Sequence, residues 1–196
     1  VMAALEAGKH VFVEKPLCYN TLEAEQISQK LRSSGLKLMV GYMKRYDPGY
    51  LYARNLIRQI EDLRFIEVTV LHPVDTMYRE HYRRRLGSGM IDTGLVKLPK
   101  PGEEEAFFAR LTGEGEDAER IAAAIGKAPV NIRIGYFFMI ASLIHDMNAV
   151  RGVMGDPSEI ISTEIWRSGL CIHSLLRFGE DTRCAMKWIY LPYQKN

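Results

Sequence analysis

Gly8-Lys9-His10-Val11-Phe12-Val13-Glu14-Lys15-Pro16, the polar-to-apolar run from Thr21 to Ser33, and Lys37-Leu38-Met39-Val40-Gly41-Tyr42 read in order as a strand, a helix and a second strand. Asn20 stands where a helix cap belongs, with Glu23 three residues on. Ala24, Ile27 and Leu31 repeat at helical spacing, and Gly35 follows the last turn. A β-α-β unit builds a parallel sheet buried on both faces, so these two strands call for neighbours. Val1 to Gly8 read as the last turns of a helix closed by Gly8, and the expectation is that sheet-forming chain precedes them.

Working outward, Pro48 to Ile60 reads as a helix and Arg64 to Leu71 as a strand rich in β-formers. Residues 73–135 are broken by Gly87, Gly89, Gly94, Pro99, Pro101, Gly102, Gly113 and Gly115 and read as an insertion, with Ala118 to Ile125 helical inside it. A long apolar helix is expected from about Tyr136 to Met154, ended by Gly155 with Pro157 beyond. Three strands follow, Ile160 to Trp166, Cys171 to Phe178 and Thr182 to Leu191. The last two form a hairpin across Gly179-Glu180-Asp181, and no closing element follows, as if the C-terminus were also truncated.

Composition removes several classes of function. With 47% hydrophobic and 26% charged residues in 196, the chain has the make-up of a globular protein. Its 26 Lys and Arg against 24 Asp and Glu leave a net charge of +2, too small a field to recruit nucleic acid or an anionic membrane. Arg79-Glu80-His81-Tyr82-Arg83-Arg84-Arg85 is basic and Glu103 to Glu119 acidic, which reads as a solvated, mutually neutralising pair; a nucleic-acid patch is the weaker alternative. The run Tyr136 to Ile144 is too short to span a bilayer, and Glu6 and Lys9 interrupt the only apolar stretch near Val1, so a cytoplasmic protein without a membrane anchor is expected. Cys18, Cys171 and Cys184 are odd in number and far apart, which suits reduced thiols and gives no metal-site spacing. Metal-protease, P-loop and serine-hydrolase motifs are absent.

The charged pair at Glu14-Lys15-Pro16 closes a buried strand, where α/β sheets place ligands, although a strand end meeting water looks the same. The run Ala4-Leu5-Glu6-Ala7-Gly8-Lys9-His10-Val11-Phe12-Val13-Glu14-Lys15-Pro16-Leu17 resembles the Glu-Lys-Pro stretch of the Gfo/Idh/MocA oxidoreductases. Val40-Gly41-Tyr42-Met43-Lys44-Arg45-Tyr46-Asp47-Pro48 resembles that family's exit from its dinucleotide domain, closest to the inositol dehydrogenase version. Ile144-His145-Asp146-Met147-Asn148-Ala149-Val150-Arg151-Gly152-Val153-Met154-Gly155 is similar to its catalytic helix. The resemblance implies an α/β (α+β) fold. Residues 1–47 would be the C-terminal remnant of a Rossmann-type dinucleotide-binding domain. Residues 48–196 would be a substrate-binding and oligomerisation domain with an open, largely antiparallel sheet and the insertion at about 73–135. No G-x-G-x-x-G occurs, so the chain reads as a fragment without the main cofactor-binding half, inactive by itself.

By the same resemblance the activity is hydride transfer between NAD or NADP and a secondary alcohol of a sugar, cyclitol or polyol. Lys15 and His145 would be catalytic, Glu14, Lys15 and Pro16 would face the cofactor, and Lys44 and Arg45 the substrate, with no metal and with homo-oligomers formed through the open sheet. Two positions depart from the pattern. Ala141 stands where the family carries the aspartate of Asp-x-x-x-His, and Asn148 where it often has a second aspartate. A rival placement, Gly87-Ser88-Gly89-Met90-Ile91-Asp92-Thr93-Gly94-Leu95-Val96, keeps an aspartate at Asp92 but has Val96 in place of the histidine. A histidine in an apolar helix is commonly structural, so a non-catalytic sugar-binding or assembly protein stands as the alternative.

Overall fold

The first two strands form as a parallel pair, β1 (Val11–Val13) and β2 (Leu38–Val40), in the computed structural model, which describes residues 1–73 and 102–191. Between them runs α2 (Thr21–Ser34), and its start is a reciprocal cap. The Glu23 amide donates to Asn20 Oδ1 at 2.8 Å, while the Tyr19 amide donates to Glu23 Oε2 at 2.9 Å. Gly35 ends the helix at φ 65°, a left-handed conformation that a side chain would strain. A short helix α1 (Met2–Glu6) lies against α2, and Leu5 and Ile27 are their buried residues.

A 3₁₀ turn, Met43–Tyr46, leads to α3 (Pro48–Ile57), capped by Asp47, whose Oδ1 accepts from the Tyr50 amide at 3.0 Å. This helix stops short of the expected Ile60, because the amides of Gln59 and Ile60 turn back three residues to Leu56 and Ile57 instead of four. The strand β3 (Phe65–Pro73) then enters a four-stranded sheet with β4 (Glu159–Trp166), β5 (Cys171–Phe178) and β6 (Thr182–Leu191). The order is β3-β6-β5-β4. β4, β5 and β6 pair antiparallel, β3 lies parallel to β6, and Gly179 turns the β5–β6 hairpin at φ 61°. The expected α/β class, a parallel pair followed by an open and largely antiparallel sheet, is what the chain builds.

One face of this sheet is covered by helices. A continuous helical run comprises α6 (Val130–Phe138), a π turn (Met139–Leu143) and α7 (Ile144–Met154), following α4 (Glu104–Leu111) and α5 (Gly115–Ile125). The run begins six residues before the expected Tyr136. Arg133 interrupts the apolar pattern there, but it donates to the carbonyls of Thr112 and Ala128, so the helix continues beneath it with Ile134 fully buried. α4 and α5 place Phe108, Thr112 and Ile121 inside, so solvation of the acidic stretch is confined to their outer sides. The basic run Arg79 to Arg85 and the stretch containing Asp92 lie outside the described residues.

The core is aromatic where helix meets sheet. Trp188, with no exposed surface, stacks on Phe138 at 4.3 Å between ring centres. Phe108 meets Phe138 edge-on at 4.7 Å and Tyr190 at 5.6 Å. On β5 and β6 the inward positions are Ile172, Leu176, Phe178, Cys184, Met186 and Trp188, while alternate positions such as His173, Arg177, Arg183 and Lys187 point away. Among the described residues no single helix is long and apolar enough to cross a membrane.

Candidate active site

The parallel pairing ends where the Gly41 amide donates to Val13 O at 2.8 Å, and the chain leaves β1 through Glu14, Lys15 and a cis bond to Pro16. Gly41 lets Glu14 lie close, since a Cβ there would stand 3.3 Å from Glu14 Oε1. Lys15 turns away from this strand end and its ammonium donates to the carbonyl of Ala141, across 126 residues of sequence. Ala141 sits inside the π turn, where the widened ladder leaves a backbone carbonyl within reach of a side chain. Burial pushes the Lys15 pKa below the usual lysine value, against the neighbouring Glu14.

His145 lies one turn beyond Ala141, at the start of α7. Its Nδ1 is buried with no hydrogen-bond partner among the described residues. Burial first, then the positive charges of Lys15 and Lys44, hold its pKa below the ordinary histidine value, opposed by Asp146 and Glu14. A buried Nδ1 with nothing to accept its proton adds to the cost of the doubly protonated ring. The ring is therefore neutral at neutral pH, the form that can take a proton.

The 3₁₀ turn and α3 are fastened to α7 beside it. Lys44 pairs with Asp146 at 2.7 Å. Arg45 donates to the Asn148 carbonyl at 2.9 Å through Nη2 and to its side-chain oxygen through Nε, and Tyr50 Oη donates to Ala149 O at 3.0 Å. Gly152 makes this approach possible, because a Cβ there would stand 2.1 Å from Tyr50 Oη. A shallow cleft lined by Met43, Lys44, Tyr46, Asp47, Tyr50 and Ala149 opens along the seam. We predict that Lys44→Met raises the His145 pKa, because it removes a cation and leaves Asp146 unpaired, and both changes favour the imidazolium. Imidazole proton NMR titration of wild type and variant reads this directly, and an unmoved His145 midpoint contradicts the arrangement.

A second set of contacts steadies the loop after Lys15. Tyr136 donates its hydroxyl to the Tyr19 carbonyl, Tyr19 Oη donates to Asp117 Oδ1 at 2.8 Å, and the Arg120 guanidinium lies 5.5 Å from the centre of the Tyr19 ring. Of the residues singled out from sequence, Lys15, Lys44 and His145 are brought together, with Arg45 on the same seam. Glu14 lies against Gly41, with its charge acting on both Lys15 and His145, and Pro16 follows Lys15 through the cis bond. Tyr19, Tyr136 and Asp117 were not legible, and the Asp146 of the quoted helix run was not singled out as the partner of Lys44. No motif marks them, and only the apolar run starting at Tyr136 hinted at a packed surface there. Among the described residues no group of three His, Cys, Asp or Glu side chains gathers as a metal site would require.

Residues 1–42 match the model of an oxidoreductase family described as having an NAD-binding Rossmann fold, GFO_IDH_MocA. The chain is 40% identical over 57 residues to scyllo-inositol 2-dehydrogenase (NAD(+)) of Bacillus subtilis, a match covering 29% of this chain and 17% of that protein. It is 30% identical over 125 residues to trans-1,2-dihydrobenzene-1,2-diol dehydrogenase of Xenopus laevis, covering 63% and 36%. The chain thus spans well under half the length of these curated relatives. Its fold is similar to scyllo-inositol dehydrogenase from Lactobacillus casei, solved with NAD(H) and scyllo-inositol, with a TM-score of 0.60 and 20% identity over 96% of this chain and 46% of that one. Over residues 1–42, which contain Glu14-Lys15-Pro16, the chain is similar to the Gfo/Idh/MocA oxidoreductases, and its fold as a whole is similar to that of a solved inositol dehydrogenase.

Proposed function

We propose that this chain supplies the substrate-side chemistry of an NAD- or NADP-dependent dehydrogenase that oxidises a secondary alcohol of a sugar, cyclitol or related polyol. The observation that carries it is the meeting of Lys15, at the C-terminal end of β1, with the helix turn that presents His145. In this reading residues 1–47 end a dinucleotide-binding domain and residues 48–196 form the substrate and assembly domain. The open face of the four-stranded sheet, with Leu71 and Phe65 exposed on β3, is where a second copy would pair.

The residues present suit the nicotinamide end of such a cofactor. Lys15 and His145, whose Nδ1 has no hydrogen-bond partner among the described residues, would form a proton-handling pair at a strand end, and Glu14, Lys15 and Pro16 are the residues that would border the ring. When bound, the cofactor supplies the hydride acceptor. The chain's own residues do the rest. Neutral His145 takes the proton of the substrate hydroxyl, and Lys15, held by Ala141 O, offers its remaining N–H groups to the oxygen as negative charge develops there. Lys44, anchored by Asp146, and Arg45, anchored by Asn148, stand on the substrate side.

Lys15→Met, made in the full-length parent protein, tests the reading in a steady-state assay of reduced cofactor formation with polyol panels. Loss of the one cation placed for the developing alkoxide should lower kcat by about 10² to 10³-fold, the cost of losing an oxyanion donor. A variant with near wild-type kcat refutes the role given to Lys15. The alternative, a polyol-binding or assembly protein without turnover, is favoured by one observation, the neutral Ala141 in place of a carboxylate. It predicts saturable polyol binding with no cofactor reduction in wild type and variant alike.

A further inference from the structure

Lys15 is carried by the link from Glu14 to Asn20, which runs from the end of β1 to the cap of α2. A long flexible stem separates its ammonium from the backbone, so one contact at the tip, to the Ala141 carbonyl, aims it only if the link itself is held. The link is held at Tyr19, from three sides. Its amide donates to Glu23 Oε2 at 2.9 Å, its carbonyl accepts from the Tyr136 hydroxyl, and its own hydroxyl donates to Asp117 Oδ1 at 2.8 Å. Arg120 closes the group, with its guanidinium 5.5 Å from the centre of the Tyr19 ring and its Nη1 3.9 Å from Asp117 Oδ1.

Two features of this arrangement reach beyond local packing. Tyr136 and Ala141 belong to the same helical run as His145, so the contacts of Tyr19 and Lys15 tie the link to the element that presents the imidazole. Asp117 comes from α5, inside the stretch that reads from sequence as an insertion. It is half-buried where Glu116 and Glu119 beside it are exposed, and α5 is itself anchored in the interior through Ile121, which has no exposed surface. We infer that the α4–α5 segment braces the reacting centre: Tyr19, gripped by Asp117 and Tyr136, is a positioning residue that keeps Lys15 in register with His145. This rests on the dehydrogenase reading for what Lys15 does there. An ammonium already aimed needs no reorientation as charge develops on the substrate oxygen, and a small misplacement of a reacting group costs more rate than the lost contact alone.

The test is Tyr19→Phe in the full-length parent protein, a change that removes only the hydroxyl. Hydrogen exchange of the amides between Lys15 and Asn20, followed by mass spectrometry, should quicken roughly 5 to 10-fold, as loss of one hydrogen bond to a locally opening segment does. In steady-state kinetics kcat should fall about tenfold with KM held within about twofold, the mark of an interaction felt in the transition state. Asp117→Asn keeps an oxygen acceptor and should recover most of both properties, whereas Asp117→Leu should match Tyr19→Phe and add little to it in the double variant. In a Lys15→Met background Tyr19→Phe should leave kcat where Lys15→Met alone puts it. An equal further fall there shows that Tyr19 acts through another group and overturns the proposal, as does unchanged exchange, or quickened exchange with kcat intact. A wild type without turnover sinks the dehydrogenase reading and the catalytic purpose with it; quickened exchange in Tyr19→Phe then still upholds the brace, and unchanged exchange overturns it.

Discussion

In the full-length parent protein His145→Ala lowers kcat for alcohol oxidation by about 10² to 10⁴-fold, the range a positioned general base contributes. The structure sets the form of the loss as well as its size. With the imidazole pKa held below the ordinary histidine value by burial, Lys15 and Lys44, the wild-type rate should be flat around neutrality. It should fall only as pH drops through that lowered pKa, where the ring becomes protonated and cannot accept the hydroxyl proton. In His145→Ala this acid limb disappears along with most of the rate, and added imidazole restores part of both. A variant that keeps the acid limb shows that another group titrates, and one that keeps near-normal turnover removes His145 from the chemistry.

Trp188→Ala costs stability more than any other single change we expect, about 3 to 5 kcal/mol, as large aromatic-to-alanine truncations in cores do. Trp188 has no exposed surface and stacks on Phe138. Its indole Nε1 donates to Ser142 Oγ at 2.9 Å inside the π turn. The truncation opens a cavity between β6 and α6 and removes the donor that holds the turn carrying Ala141. Trp188→Phe separates the two effects. It keeps most of the ring area and loses the hydrogen bond, which should cost about 1 kcal/mol. Urea unfolding reads both, as a fall in midpoint with the slope unchanged. A Trp188→Ala midpoint equal to that of Trp188→Phe would mean that the ring packs less tightly than its contacts indicate.

The parts of the fold that were legible share a physical cause: the signal was local. Asn20 and Glu23 cap each other within one turn, Gly35 and Gly155 end helices with positive φ, and Gly179 turns a hairpin between strands that pair immediately. Where the outcome depended on distant packing, the sequence misled or was silent. Arg133 disguised a buried helix start because one of its partners, Thr112, lies at the far end of α4, although Pro129 just ahead of Val130 was the signal to use. The π turn has no mark in its residues Met139 to Leu143, yet it is what presents a carbonyl to Lys15. Lys15, Lys44, Arg45 and His145 could be nominated by family likeness. That Lys44 answers to Asp146 and that Tyr19 is held by Tyr136 and Asp117 came from tertiary geometry alone.

The parallel pairing of β3 with β6 has a kinetic meaning. Every other pairing in that sheet joins neighbours in sequence, whereas Phe65 to Pro73 must find Arg183 to Leu191, and Thr182 Oγ1 bonds Leu63 O across 119 residues. Closing a loop that long costs on the order of 4 kcal/mol in chain entropy before any contact is gained. The β4–β5–β6 meander can form first from local contacts, and β3 docks onto its finished edge in a late, slow step. During synthesis β3 therefore emerges long before its partner exists, and its exposed Phe65 and Leu71 are open to other edges in the interval. Variants that weaken the β3–β6 seam should accordingly accumulate as aggregates during refolding before they show any loss in the folded protein's equilibrium stability.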